Sequence, residues 1–132
     1  MNSPEQVVRE FCTAVSKRDP ELLRPLLTDD IVYLNVGMPA TSGIENVLAN
    51  VAGQWQMFSG IYEFQLRHIA AVGTVVLTER LDVVGAAGQS LPVPLMGTFE
   101  VRDGKIAQWR DYFDSALVGK MMSGEDVSTL VP

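Results

Sequence analysis

Charged side chains inside otherwise apolar, strand-like runs are the residues of this chain best placed to do chemistry, because a buried charge costs several kcal/mol unless it is paired. Three places qualify. Over residues 75–84 strand alternation puts Val76, Thr78, Arg80, Asp82 and Val84 on one face, so Arg80 and Asp82 point the same way. Over residues 105–113, Trp109, Asp111 and Phe113 share a face, which sets one carboxylate between two aromatics. Over residues 31–36, Tyr33 and Asn35 lie on the same side as Ile31. Singly, each has an ordinary structural explanation: an edge-strand ion pair in water, a cap or turn partner, a strand end with a satisfied amide. Together they put two carboxylates, one guanidinium, one phenol and one amide on strands that can line a single cavity. Acid–base work by paired carboxylates is the chemistry such a set offers.

The remaining composition narrows the choice. His68 is the only histidine, which excludes His-rich metal sites and any histidine triad that does not use it. It lies between apolar residues on an earlier strand and reads as a satisfied structural side chain. Cys12 falls in an apolar helical pattern with no base placed for it, so it reads as core filler, and being alone it forms no internal disulfide. The 16 acidic and 10 basic residues give a net charge of -6, which would repel a nucleic acid backbone. No apolar run approaches the ~20 residues of a membrane span, and Met1 to Gln6 carries no basic-then-apolar signal, so no membrane association and a cytoplasmic protein are expected. With 132 residues, 47% of them hydrophobic, the chain is expected to form one globular domain over 1–132.

Local signals predict the elements that must hold these side chains. Ser3, Pro4 and Gln6 make a capped helix start, and Val8, Phe11, Cys12 and Val15 then recur at helical spacing. Asp19 caps a second short helix that begins at Pro20, holds Leu22, Leu23, Leu26 and Leu27, and ends at Thr28-Asp29-Asp30. A strand follows over 31–36, broken by Gly37-Met38-Pro39; Thr41-Ser42-Gly43 then leads into a third helix over roughly 44–58, with Val47, Leu48, Val51 and Trp55 on one side. Strands are expected over 61–71, 75–84, 91–101 and 105–113, joined as a meander, with Arg102-Asp103-Gly104-Lys105 as a tight hairpin. A short helix over about 115–122 and a tail over 123–132 complete the chain. Helices early and strands late predict an α+β fold: a curved, mixed but mostly antiparallel sheet with helices packed in its concave face. Leu77, Leu81 and Val83 point to the other face, which is therefore expected to meet a second copy.

Tyr33-Leu34-Asn35, Leu77-Thr78-Glu79-Arg80-Leu81-Asp82 and Trp109-Arg110-Asp111-Tyr112-Phe113-Asp114 resemble, in order and spacing, the motifs of the limonene-1,2-epoxide hydrolase family. The similarity runs from about Glu10 to Asp114. It implies the cone-shaped fold of the nuclear transport factor 2-like superfamily, a homodimer, no cofactor and no metal. By position it makes Arg80, Asp82 and Asp111 a catalytic triad, with Tyr33 and Asn35 holding the water. Gly53-Gln54-Trp55-Gln56 and Pro92-Val93-Pro94-Leu95 depart from the family's usual pocket wall.

The chemistry of the residues fits that resemblance. Adding water to an epoxide at neutral pH needs a proton delivered to the ring oxygen while another leaves the attacking water. Two carboxylates suffice when one is protonated and the other ionised, a division that burial and like-charge repulsion promote. A guanidinium between them donates to both. In the family-like assignment Asp111 is the base, Asp82 the acid and Arg80 the bridge, and a small apolar epoxide and water are the substrates. A ketosteroid-isomerase-like or polyketide-cyclase-like enzyme and a non-catalytic small-molecule-binding dimer remain the alternatives on the same fold.

Overall fold

A computed structural model describes residues 2–86 and 88–132. Its helices begin where side-chain caps satisfy free amides. Helix α1 (Pro4–Ala14) opens with a reciprocal capping box, the Gln6 amide donating to Ser3 Oγ at 3.2 Å and the Ser3 amide to Gln6 Oε1 at 2.9 Å. Its apolar stripe, Val8, Phe11 and Cys12, is buried against the sheet. Asp19 caps the four-residue helix α2 (Pro20–Leu23) and Asp114 caps α4 (Ser115–Met122). Helix α3 (Ile44–Met57) buries Val47, Leu48, Val51 and Trp55, the side expected from their spacing.

Six strands form one curved sheet: β1 (Leu27–Asn35), β2 (Thr41–Ser42), β3 (Tyr62–Val72), β4 (Val75–Ala86), β5 (Gln89–Arg102) and β6 (Lys105–Phe113), in the order β2-β1-β6-β5-β4-β3. Strands β3 to β6 are the antiparallel meander predicted from their turns. Asp103 and Gly104, at φ 52° and 79°, make the expected tight hairpin. The one parallel pairing, β1 with β6, sets Tyr33 beside Trp109 and Asn35 beside Asp111. The fold is α+β, with its core between the helices and the sheet around Phe11, Ile31, Phe99 and Trp109.

Several local expectations are corrected. Leu26 and Leu27 do not extend the second helix. Pro25 has no amide to donate, the chain tightens into a single 3₁₀ turn over Arg24–Leu26, and β1 starts at Leu27, so Thr28, Asp29 and Asp30 lie in the strand. Thr41 and Ser42 do lead through Gly43 into α3, and they also pair with Tyr33 and Val32 as strand β2, which their sequence did not signal. His68 is not enclosed by its apolar neighbours. A bulge between Leu66 and His68 accompanies its turn to solvent, and its ring Nδ1 meets Glu79 Oε1 at 2.7 Å. Val83 is already buried within the chain and Leu81 half-buried, leaving Leu77, Met96 and Tyr112 as the large apolar side chains exposed on the outer face of β4, β5 and β6. The tail is tied down: Val127 and Val131 pack on the core, and Arg67 donates to the Pro132 carbonyl at 2.8 Å.

One long-range clamp sets α3 relative to α1. Arg18, at φ 57°, sends its guanidinium to the end of α3 and donates to the carbonyls of Trp55 and Phe58 at 2.7 Å and of Gly60 at 3.0 Å. The Trp55 indole in turn donates to the Val15 carbonyl at 3.1 Å. Carbonyls left free at a helix C-terminus are thereby satisfied by a cation, the favourable sign for that end of the dipole.

Candidate active site

Strand register brings the predicted residues together. Arg80 and Asp82 stand two apart on β4, and Asp111 stands on β6, with β5 between them. Gly97 is the β5 residue in register with both Thr78 and Asp111. A Cβ there would overlap Arg80 Nη1 and stand 2.6 Å from Asp111 Oδ1. The missing side chain is the gap through which Arg80 crosses β5. A lone glycine within a strand pattern signals such a close approach, and this is the feature by which the sequence could have disclosed Gly97.

The guanidinium is spent on its neighbours. Arg80 Nε and Nη2 donate to the two oxygens of Asp82 at 3.1 and 2.9 Å, Nη2 also reaches Asp111 Oδ2 at 3.0 Å, and Nη1 reaches Thr78 Oγ1 at 3.4 Å. Phe64 lies beneath it, 4.5 Å from ring centre to guanidinium carbon. Arg80, Asp82 and Asp111 are 1%, 6% and 3% exposed, so these ion pairs lie out of water, where losing one partner costs about 3–5 kcal/mol.

Burial divides the groups. It pushes the Asp82 carboxyl up to about 6, against the opposing pull of Arg80 and with a further push from Asp111. For Arg80 burial pulls the other way, but Asp111 and Asp82 outweigh it and hold the guanidinium charged, well above its ordinary range. Among the described residues, none donates a hydrogen bond to the buried Asp111 Oδ1, which lies against Gly97.

Tyr33 and Asn35 complete the group. The Tyr33 ring stacks on Trp109, its parallel-strand neighbour, with centroids 3.7 Å apart, and Asn35 Nδ2 donates to the Tyr33 hydroxyl at 3.2 Å. Burial first, then the charge of Asp111, pushes the phenol up to about 12, so it stays a neutral hydroxyl at physiological pH. Tyr33, Asn35, Asp82 and Asp111 line one cavity of about 180 Å³ whose other walls include Phe58, Val84, Leu91, Val93 and Val118. The pocket is thus apolar with its polar groups gathered at one end, the usual form of a small-molecule site. A wider, shallower cleft on the outer face, between Arg67, Met96 and Tyr112, meets neither carboxylate.

This geometry agrees with comparison to known proteins. The model of the limonene-1,2-epoxide hydrolase catalytic domain matches residues 2–123. The chain belongs to this family of epoxide hydrolases. It is 36% identical over 107 residues to epoxide hydrolase EphG of Mycobacterium tuberculosis (strain ATCC 25618 / H37Rv), a stretch that covers 81% of this chain and 70% of that protein. The solved structure of an LEH-like epoxide hydrolase from M. tuberculosis superposes with a TM-score of 0.82 at 30% identity, over 96% of this chain and 94% of the other. A chain from Jannaschia sp. CCS1 described as a SnoaL-like polyketide cyclase, at 18% identity, TM-score 0.80 and 93% coverage of both chains, shares the fold.

Two further residues of this family member face the same cavity and were not singled out from its sequence. Gln54 of α3 and Tyr62 of β3 both line it, hydrogen-bonded to one another. Gln54 sits at the half-buried border of the α3 stripe and Tyr62 at the first position of β3, and nothing in either pattern marks a side chain as facing Tyr33. Cys12 is buried as core, and burial pushes its thiol up to about 11, away from the thiolate a nucleophile requires.

Proposed function

We propose that this protein hydrolyses a small apolar epoxide to a vicinal diol in one step, using Asp111 as base, Asp82 as acid and Arg80 as the bridge. The observation that carries the proposal is a single guanidinium bonded to two buried carboxylates that line an apolar pocket together with Tyr33 and Asn35. A water donating to the Asp111 carboxylate and held by the Tyr33 hydroxyl and the Asn35 amide attacks an epoxide carbon, and the carbon–oxygen bond breaks. Asp111 takes the water proton as Asp82 gives its own to the ring oxygen. The product is a diol, Asp111 is left protonated and Asp82 ionised, and return of one proton between them restores the site. Tyr33 and Asn35 contribute orientation rather than basicity.

The exposure of Leu77, Met96 and Tyr112 on the outer face supports a homodimer formed through that face. Incubating the protein with a panel of cyclic and acyclic epoxides and measuring diols tests the activity. Asp82→Asn and Asp111→Asn are each expected to lose at least ~100-fold in turnover while keeping their circular dichroism, and Arg80→Lys to fail as well, since an ammonium cannot serve as a planar fork. Near-normal diol formation by a folded Asp111→Asn variant would contradict the assignment.

A further inference from the structure

Tyr33 is held by more than its strand. Its hydroxyl accepts from Asn35 Nδ2 at 3.2 Å and from Gln54 Nε2 at 3.3 Å. Gln54 Nε2 also donates to Asn50 Oδ1 at 2.9 Å, and Gln54 Oε1 accepts from the Tyr62 hydroxyl at 2.6 Å. These lengths fix the sense of the amide. A separation of 2.6 Å is ordinary for O–H···O and short for N–H···O, so the carbonyl oxygen of Gln54 faces Tyr62. Its nitrogen then faces Tyr33 and Asn50. With both lone pairs of the Tyr33 oxygen occupied by incoming donors, the hydroxyl proton is left to point elsewhere.

We infer that Gln54 and Tyr62 are positioning residues: the chain Tyr62 to Gln54 to Tyr33 makes the Tyr33 hydroxyl an obligate donor into the pocket. Burial favours the same outcome. Tyr62 is 4% exposed and Tyr33 5%, so neither hydroxyl can exchange its partners for bulk water. Three different elements supply the chain, α3, β3 and β1, and the Arg18 clamp on the last turn of α3 holds Gln54 at its place between them. Under the proposed hydrolysis, on which the catalytic part of this inference rests, the donated proton occupies one lone pair of the attacking water. The water's own protons are then directed to acceptors such as the Asp111 carboxylate.

Gln54→Glu tests the sense of the chain with almost no change of shape. A carboxylate at this position accepts the Tyr33 proton instead of donating to its oxygen, so the hydroxyl turns away from the pocket. The expected result is a fall in kcat of about tenfold or more with KM within about twofold, and little further loss when the same change is made in a Tyr33→Phe background. A role confined to packing would leave the isosteric variant at wild-type kcat, and that result overturns the inference. So would losses from Gln54→Glu and Tyr33→Phe that multiply independently.

A readout that needs no substrate separates this inference from the hydrolysis itself. The chain has three tyrosines, and fluorine NMR of protein labelled with 3-fluorotyrosine gives each its own resonance, assigned by Tyr33→Phe, Tyr62→Phe and Tyr112→Phe. In Tyr62→Phe the Tyr33 resonance is expected to move, through Gln54, while that of exposed Tyr112 stays. Coupled shifts without diol from any epoxide would refute the hydrolysis and support the hydrogen-bond chain; an unmoved Tyr33 resonance in Tyr62→Phe would refute the chain, whatever the turnover.

Discussion

Asp82 carries an electrostatic burden that its partners only partly relieve. Burial lifts its carboxyl to about 6 from an ordinary 3.8, so at pH 7 about a tenth of molecules hold the proton an acid must deliver. Two consequences follow in opposite experiments. Deprotonation removes the acid, so kcat/KM should fall as pH rises through about 6, a limb visible in the pH–rate profile of the free enzyme. Stability should also fall as pH rises from about 4 to about 6, because in that window the folded chain binds a proton at Asp82 that the unfolded chain has released. Melting curves across this window should show the slope in the wild type and a flatter one in Asp82→Asn; identical slopes would mean that Asp82 titrates at its ordinary value. Arg80, Asp82, Asp111, Tyr33 and Asn35 were legible in the sequence because strand alternation alone places a polar side chain on an apolar face. Gln54 and Tyr62 were not, because their meeting with Tyr33 depends on how α3 lies over the sheet.

Among the elements, β5 does work that none of its side chains advertises. It separates the strands bearing Arg80 and Asp111, and only the absence of a Cβ at Gly97 lets the ion pair span it. Gly97→Ala should therefore lower turnover by at least ~100-fold and destabilise the fold by the ~1–3 kcal/mol usual for an overpacked core, seen as a lower melting temperature. A Gly97→Ala variant with wild-type kinetics would show that the bridge does not need the gap. Elements set by local chemistry were the ones the sequence disclosed: the Ser3 and Gln6 box, the Asp19 cap, the Asp103-Gly104 hairpin. Elements set by distant partners were not. The stretch from Leu27 to Asp30 is strand because β6 pairs with it at Ile106, and Thr41-Ser42 because β1 offers an edge.

The whole molecule presents two faces of different character. Inside, the sheet and helices enclose the core and the pocket; outside, Leu77, Met96 and Tyr112 stand 43%, 56% and 49% exposed on three neighbouring strands, with Met96 and Tyr112 directly paired across β5 and β6. A patch of this kind on a sheet that is otherwise complete is best covered by a copy of itself about a two-fold axis. Sedimentation at micromolar concentration should give a dimer, and Met96→Glu should shift it toward monomer; a clean monomer in the wild type would contradict the second copy. Direct attack by water is tested most directly by one turnover in oxygen-18 water with enzyme in excess over epoxide. One labelled oxygen in the diol of the first cycle is the result expected when Asp111 acts as base; a first-cycle diol with no label, with label found afterwards in an aspartate of the protein by peptide mass analysis, would establish a covalent ester and contradict it.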